Sequence, residues 1–135
     1  MPTLDVSCAP LQPLARKRLA LALTRQLKAL GAESAHCMVF FKPLPEGCVF
    51  SAGMPLPTAD REGLPAQFHV RVTLSAARDR QAHEALASGL RQCLHAQYPN
   101  AFIYLQFDPI QPEHVYFSAG PDLTNAANPQ GKTGS

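Results

Sequence analysis

Lys42–Gly53, KPLPEGCVFSAG, and Asp108–Gly120, DPIQPEHVYFSAG, are one motif written twice. With one inserted residue allowed, the proline, the Pro-Glu pair and the closing Phe-Ser-Ala-Gly coincide. The likeness extends upstream of both copies. Leu4, Val6 and Cys8 fall on Val70, Val72 and Leu74, and Leu19, Leu23 and Leu27 fall on Leu86, Leu90 and Leu94. A period near half the chain is too long for a solenoid. It reads as one supersecondary unit used twice in one domain. Pro2 then stands opposite Phe68, so only the first copy has a residue able to present an N-terminal secondary amine once Met1 is removed.

Within each copy the hydrophobic period changes in the same order. Pro2, Leu4, Val6 and Cys8 alternate with polar residues, as in a strand with one buried face. From Leu14 to Leu30 the apolar residues take helical spacing, with Pro13 suited to a first turn and Gly31 to a stop. Cys37–Phe41 is a nearly continuous apolar strand, which after a strand and a helix predicts a parallel partner. A proline-rich turn and a short strand, Cys48–Ser51, close the unit. The second copy runs from Phe68 through a helix capped by Asp79 and ending near Tyr98, then a strand over Phe102–Phe107 and a short one over Val115–Ser118.

The expected architecture is therefore α+β: tandem β-α-β units forming one mixed four-stranded sheet, with two helices on one face and short hairpin strands. Residues 1–120 form a single domain of two pseudo-repeats, 2–53 and 68–120, joined by a linker over 54–67. Residues 121–135, rich in Asn, Gly, Pro and Thr, are expected to be a flexible C-terminal tail. The sheet face away from the helices would carry His69, Arg71 and Thr73 together with apolar residues of the second strand. Its burial against other copies of the chain is the natural remedy.

Composition narrows the function classes. At 135 residues the chain is long enough for a real core, and its net charge is only +2. Arg16, Lys17 and Arg18 are its one basic run and read as a solvated helix face, so nucleic acid is not an expected partner. No apolar stretch reaches the ~18 residues of a membrane span, and no secretion-signal layout opens the chain, so a cytoplasmic protein is expected. The four cysteines, Cys8, Cys37, Cys48 and Cys93, form no C-x-x-C pair, and the histidines show no ligand spacing, so neither a metal nor another cofactor is expected.

These residues resemble the tautomerase superfamily. The resemblance rests on the opening Pro-x-x-x-Val-x-Cys of PTLDVSC, the strand Phe68–Leu74 leading to Ala77-Arg78, the proline-containing turn after the last long strand, and the duplication itself. It is closest to the long members, of the 5-carboxymethyl-2-hydroxymuconate isomerase and macrophage migration inhibitory factor type, and covers roughly residues 2–120. It implies a homotrimer with sites between subunits. It also implies a proline amine that moves a proton beside a carbonyl, in keto-enol or double-bond isomerisation of a 2-oxo or hydroxymuconate-like acid. An α-amino group has a pKa of about 7.7–8.0, and desolvation lowers it toward that of a neutral-pH base.

Carried over residue by residue, the resemblance makes Pro2 the base. Arg78 or Arg80 would hold the substrate carboxylate. Phe50 lies in the hairpin where short members place a ring beside the proline. Tyr104 matches a tyrosine that completes a neighbouring subunit's site, and His36 is the polar group beside Pro2. Other expected cations are missing, with Gln12, Met38 and Ala32 at or near their places. Lys42 is too far along its strand to reach Pro2. A monocarboxylate or a neutral aromatic enol therefore suits the mouth better than a dianion. Two alternatives share the frame. One is a decarboxylase or hydratase using Asp5, Glu46 or Asp108 as an acid, and the other is a catalytically silent trimeric binding protein.

Overall fold

The computed structural model describes residues 2–32 and 36–133. Met1, on which the exposure of the Pro2 amine turns, lies outside the described residues. Nine strands and two α-helices are described: β1 (Thr3–Cys8), α1 (Pro13–Lys28), β2 (Met38–Pro43), β3 (Phe50–Ser51), β4 (Met54–Pro55), β5 (Gln67–Ser75), α2 (Arg80–Gln97), β6 (Phe102–Ile110), β7 (Tyr116–Phe117), β8 (Leu123–Asn125) and β9 (Asn128–Thr133). The long strands make one mixed sheet in the order β2-β1-β5-β6. Each repeat supplies a parallel pair, β1 with β2 and β5 with β6, and the two halves join where β1 meets β5 antiparallel.

The core follows from alternation. Leu4, Val6 and Cys8 of β1 and Phe68, Val70, Val72 and Leu74 of β5 turn to one face and are buried there. Leu19, Leu23 and Leu27 of α1 and Leu86, Leu90 and Leu94 of α2 cover them, each triplet spaced to fall on one helical stripe. The Asp79 carboxylate accepts from the Ala82 amide at 2.9 Å and caps α2. The helices approach closely at Gly89, where a Cβ would collide with the Gln26 side chain. Cys93 Sγ donates to the Ala22 carbonyl 3.6 Å away at the same crossing.

The register reveals a pseudo-twofold axis. Asp5 pairs with Arg71 across β1 and β5, and these two are each other's counterparts in the repeat. Leu4 pairs with Val72 and Val6 with Val70, again as the repeat exchanges them. The axis thus passes between Asp5 and Arg71 on the face away from the helices. Around it the ion pairs are charge-inverted. In the first repeat Asp5 on β1 takes Lys42 of β2 at 3.6 Å; in the second, Arg71 on β5 takes Asp108 of β6 at 2.9 Å.

Three expectations change. β2 and β6 run on past their expected ends at Phe41 and Phe107, β2 to Pro43 and β6 across Pro109 to Ile110. Both are edge strands, where a missing N–H costs no essential ladder bond. The tail expected to be flexible carries two strands: β8 and β9 join β7 in an antiparallel sheet. Its order comes from polar and backbone bonds, with Asn125 Nδ2 donating to the Glu113 carbonyl and the Ala126 amide to that of Val115. The segment 54–67 is folded as well. β4 pairs with β3, and the buried Thr58 hydroxyl donates to Glu46 at 3.1 Å.

Candidate active site

Pro2 is buried at the start of β1. Its carbonyl accepts from the Met38 amide at 3.5 Å, which sets the first residues of β2 beside it. On the other flank Thr3 faces Thr73, so Pro2 stands level with the end of β5, where Ser75 and the turn to α2 begin. β6 also ends here, and the Ala76 amide donates to the Ile110 carbonyl at 2.8 Å. One end of the sheet therefore gathers Pro2, the approach to β2, the β5–α2 turn and the segment after β6. A cavity of about 210 Å3 lies at this end between Ser75, Ile110, Pro112, Val115 and Ala126.

The candidate site residues divide between the two ends of the sheet. His36 precedes β2 at the Pro2 end, and its ring lies 5.7 Å from that of Phe117, tilted by 55°. The hairpin of the second repeat thus closes on the first repeat's mouth. Arg78 sits in the β5–α2 turn, its amide bonded to the Ser75 carbonyl at 3.1 Å, and its guanidinium has no carboxylate partner among the described residues. Arg80 is tied along the exposed surface of α2, Nε to Glu84 at 3.1 Å. Among the described residues Arg80 thus has a carboxylate neighbour and Arg78 has none.

Phe50 and Tyr104 lie at the opposite end. Tyr104 pairs with His69, and His69 with Ser7, about five residues or ~16 Å along β1 from Pro2. Its hydroxyl donates to Gln106, which in turn donates to Asp108. Phe50, 60% exposed, belongs to the β3–β4 hairpin beyond the far end of β2. Within one chain, then, neither ring is beside Pro2. The residue that sequence reasoning missed is Phe117. Its signal was present, because Phe117 is the Phe50 of the second Phe-Ser-Ala-Gly.

The electrostatics at the face away from the helices are settled by pairing. Hydrogen bonds from Gln106 and then Arg71 hold the Asp108 carboxyl below its ordinary range. Asp5 is paired with Lys42. Burial pushes the Cys8 thiol up to about 11, which keeps it a neutral core residue. Among the described residues no group of His, Cys, Asp and Glu could hold a metal ion.

Solved structures of low sequence identity share this fold. The R7 fused 4-OT, an asymmetric wild-type trimer, superposes with a TM-score of 0.73 at 20% identity, over 93% of this chain and 96% of that one. Pt0534 inactivated by 2-oxo-3-pentynoate gives 0.73 at 16% identity, over 96% and 98%. Macrophage migration inhibitory factor of Toxoplasma gondii gives 0.68 at 15%, over 87% and 97%. No protein-family model matches the sequence, and no curated protein matches it. The chain has the tautomerase-superfamily fold in its duplicated form, and its structural neighbours include trimers. No helix among the described residues is long and apolar enough to cross a membrane.

Proposed function

We propose that the protein is a proline-dependent tautomerase with one active mouth per chain, at Pro2. One observation carries this reading. The pseudo-twofold axis brings three elements to each end of the sheet: the first residue of one repeat, and the turn and hairpin of the other. At one end these are Pro2, Arg78 and Phe117; at the other, by the same counting, they are Phe68, Gln12 and Phe50. Only the first set combines a potential amine, a free cation and a ring wall.

In the proposed mechanism Pro2 is the terminal residue of the mature chain. Desolvation of such an amine disfavours the ammonium and would give a neutral base near pH 7. The amine takes a proton from the carbon beside a carbonyl and returns it to the far end of the conjugated system. Arg78 holds the carboxylate, and His36 and Phe117 flank the apolar part. A single cation suits a 2-oxo monocarboxylate, and an aromatic enol such as that of phenylpyruvate is the probe of choice. The lyase reading finds less support. Asp5 and Asp108 are held in ion pairs, Asp108 is shifted away from carrying a proton, and Glu46 is bonded to Thr58.

A homotrimer belongs to this reading. The sheet's two edges are unlike in charge, with Lys42 on β2 and Asp108 on β6, and exposed Met38 and Phe40 on one side answer exposed Tyr104 on the other. Such head-to-tail edges form a closed ring when the rotation between copies is one third of a turn, as the trimer requires. Tyr104, remote from its own Pro2, is then available to a neighbour's mouth. The test is an intact mass of untagged protein with an enol-ketonisation assay on the same sample. The expected result is loss of Met1, turnover abolished by Pro2→Ala with the fold intact, and a particle of about three times the 14.6 kDa chain. Full activity in Pro2→Ala would end the mechanism, and a clean monomer would end the shared site.

A further inference from the structure

The end of the sheet opposite Pro2 holds a cleft of about 480 Å3 lined by Ser51, Leu56, Pro57, Ala66, Gln67 and Phe102. It is the pseudo-twofold mate of the Pro2 mouth. Phe102 is the repeat counterpart of His36, and Ser51 that of Ser118. What has changed is the chemistry. Phe68, the counterpart of Pro2, is wholly buried in the core, where its ring packs 5.2 Å from Tyr98. Gln12 stands where the other mouth has Arg78. This end therefore keeps walls and loses both base and cation.

The lining defines what such a cleft can hold. No charged side chain lines it. Gln67 is 2% exposed, and both ends of its amide are bonded, Nε2 to the Pro57 carbonyl at 2.9 Å and Oε1 to His69 Nε2 at 2.6 Å. These two bonds fix the amide as the floor of the cleft, with one Nε2 hydrogen left over and no charge. Phe102 offers a ring that is 60% exposed, with Leu56, Pro57 and Ala66 around it. Ser51 is the lining side chain with an unspent hydroxyl. Its counterpart Ser118 is engaged with the carbonyls of Gly120 and Asp122. The volume lies within the usual range of ~300–1,000 Å3 for small-molecule sites.

We propose that this cleft is a second, non-catalytic binding site for a neutral one-ring molecule bearing a single hydroxyl group. The ring lies against Phe102 and Leu56, and the hydroxyl meets Ser51. A carboxylate is rejected because its desolvation meets no cation. The site stands whether or not Pro2 is a catalyst, since it uses none of the residues of that mouth.

The probe is 4-fluorobenzyl alcohol, titrated into the assembled full-length protein and followed by fluorine NMR, with enol turnover measured on the same samples. Saturable binding is expected in wild type and, undiminished, in Pro2→Ala. Phe102→Ala, at an exposed ring, and Ala66→Leu, which fills the cleft, should each weaken it by about tenfold or more while turnover persists. Ser51→Ala should weaken the alcohol but leave 4-fluorotoluene unaffected. Binding that is lost in Pro2→Ala and indifferent to Phe102 would place the ring in the other mouth and overturn the proposal. Absence of saturable binding in folded, assembled protein would overturn it equally.

Discussion

Replacing Phe117 by alanine should damage turnover, and the same change at Phe50 should not. The two residues are identical in type and hold the same place in their repeats, so chemistry and local sequence cancel between the variants. What differs is the end of the sheet each one serves. Phe117 stands 5.7 Å from His36 at the Pro2 mouth. A substrate ring that meets Phe117 in a similarly tilted pair gains about 0.5–1.5 kcal/mol beyond its area. A substrate ring resting some 40 Å2 of apolar surface against Phe117 loses about 1 kcal/mol more when it goes. The sum, about 1.5–2.5 kcal/mol, corresponds to a fall of roughly tenfold to seventyfold in kcat/KM. Most of it should appear in KM, because the ring holds the substrate and not the moving proton. Phe50→Ala should stay within about twofold. The assay is enol-phenylpyruvate ketonisation, with a thermal melt to show that both variants fold. A larger loss in Phe50→Ala than in Phe117→Ala would refute the exchange of hairpins between repeats as the basis of the site.

Arg78→Ala should raise KM for a 2-oxo acid by about tenfold or more, the scale of a lost charge-assisted bond, with Arg80→Ala near wild type; steady-state kinetics on both variants decide between them, and the reverse order would move the carboxylate onto α2. The Cys8 thiol, raised from 9.0 to about 11 by burial, contributes stability that is complete below pH 9.0 and lost as pH rises through 11. Denaturant melts should weaken across that alkaline window and less so in Cys8→Ala, and in a timed thiol titration of native protein Cys8 should react after the exposed Cys48. An equal alkaline loss in the variant would assign the transition to another group. Gly89→Ala should change stability by less than about 1 kcal/mol, because the gain in helix propensity is offset by displacement of Gln26 from the helix crossing. Adding Gln26→Ala should release the gain, and a further loss in that double variant would mean that Gln26 anchors the crossing.

The elements that make the core were legible because their physics is local. Alternation over Leu4, Val6 and Cys8, helical spacing over Leu19, Leu23 and Leu27, and Asp79 ahead of α2 each depend on neighbours close in sequence. The parallel pairing of β1 with β2 followed from an apolar strand after a strand and a helix. Pro43 and Pro109 misled because a proline's cost depends on whether its strand is an edge, and that is known only once the order β2-β1-β5-β6 is known. The strands β8 and β9 were hidden by their polarity, since their backbone bonds leave no hydrophobic pattern. Phe117 was missed for a subtler reason. The repeat identifies counterparts, but only the antiparallel meeting of β1 and β5 reveals that each hairpin serves the other repeat's mouth.

That meeting also bears on why the two halves have diverged where they have. A twofold arrangement of identical units would present two equal mouths and, on the face away from the helices, place like charges about the axis. This chain has Asp5 opposite Arg71, with Lys42 and Asp108 completing inverted pairs on the two edges. Identical residues at the axis would set two carboxylates or two guanidiniums directly across from one another, which is destabilising in a sheet. Inverting one repeat removes that repulsion and makes the two edges unlike, as the head-to-tail contact of the proposed trimer requires. The same freedom acts at the mouths. On the proposed mechanism only the first repeat offers a terminal amine, so a cation after β1 would have no amine to serve at the far end, whereas a cation after β5 would have one at Pro2. Gln12 against Arg78 and Phe68 against Pro2 are the outcome expected of one duplicated frame in which a single chain terminus concentrates the chemistry at one end.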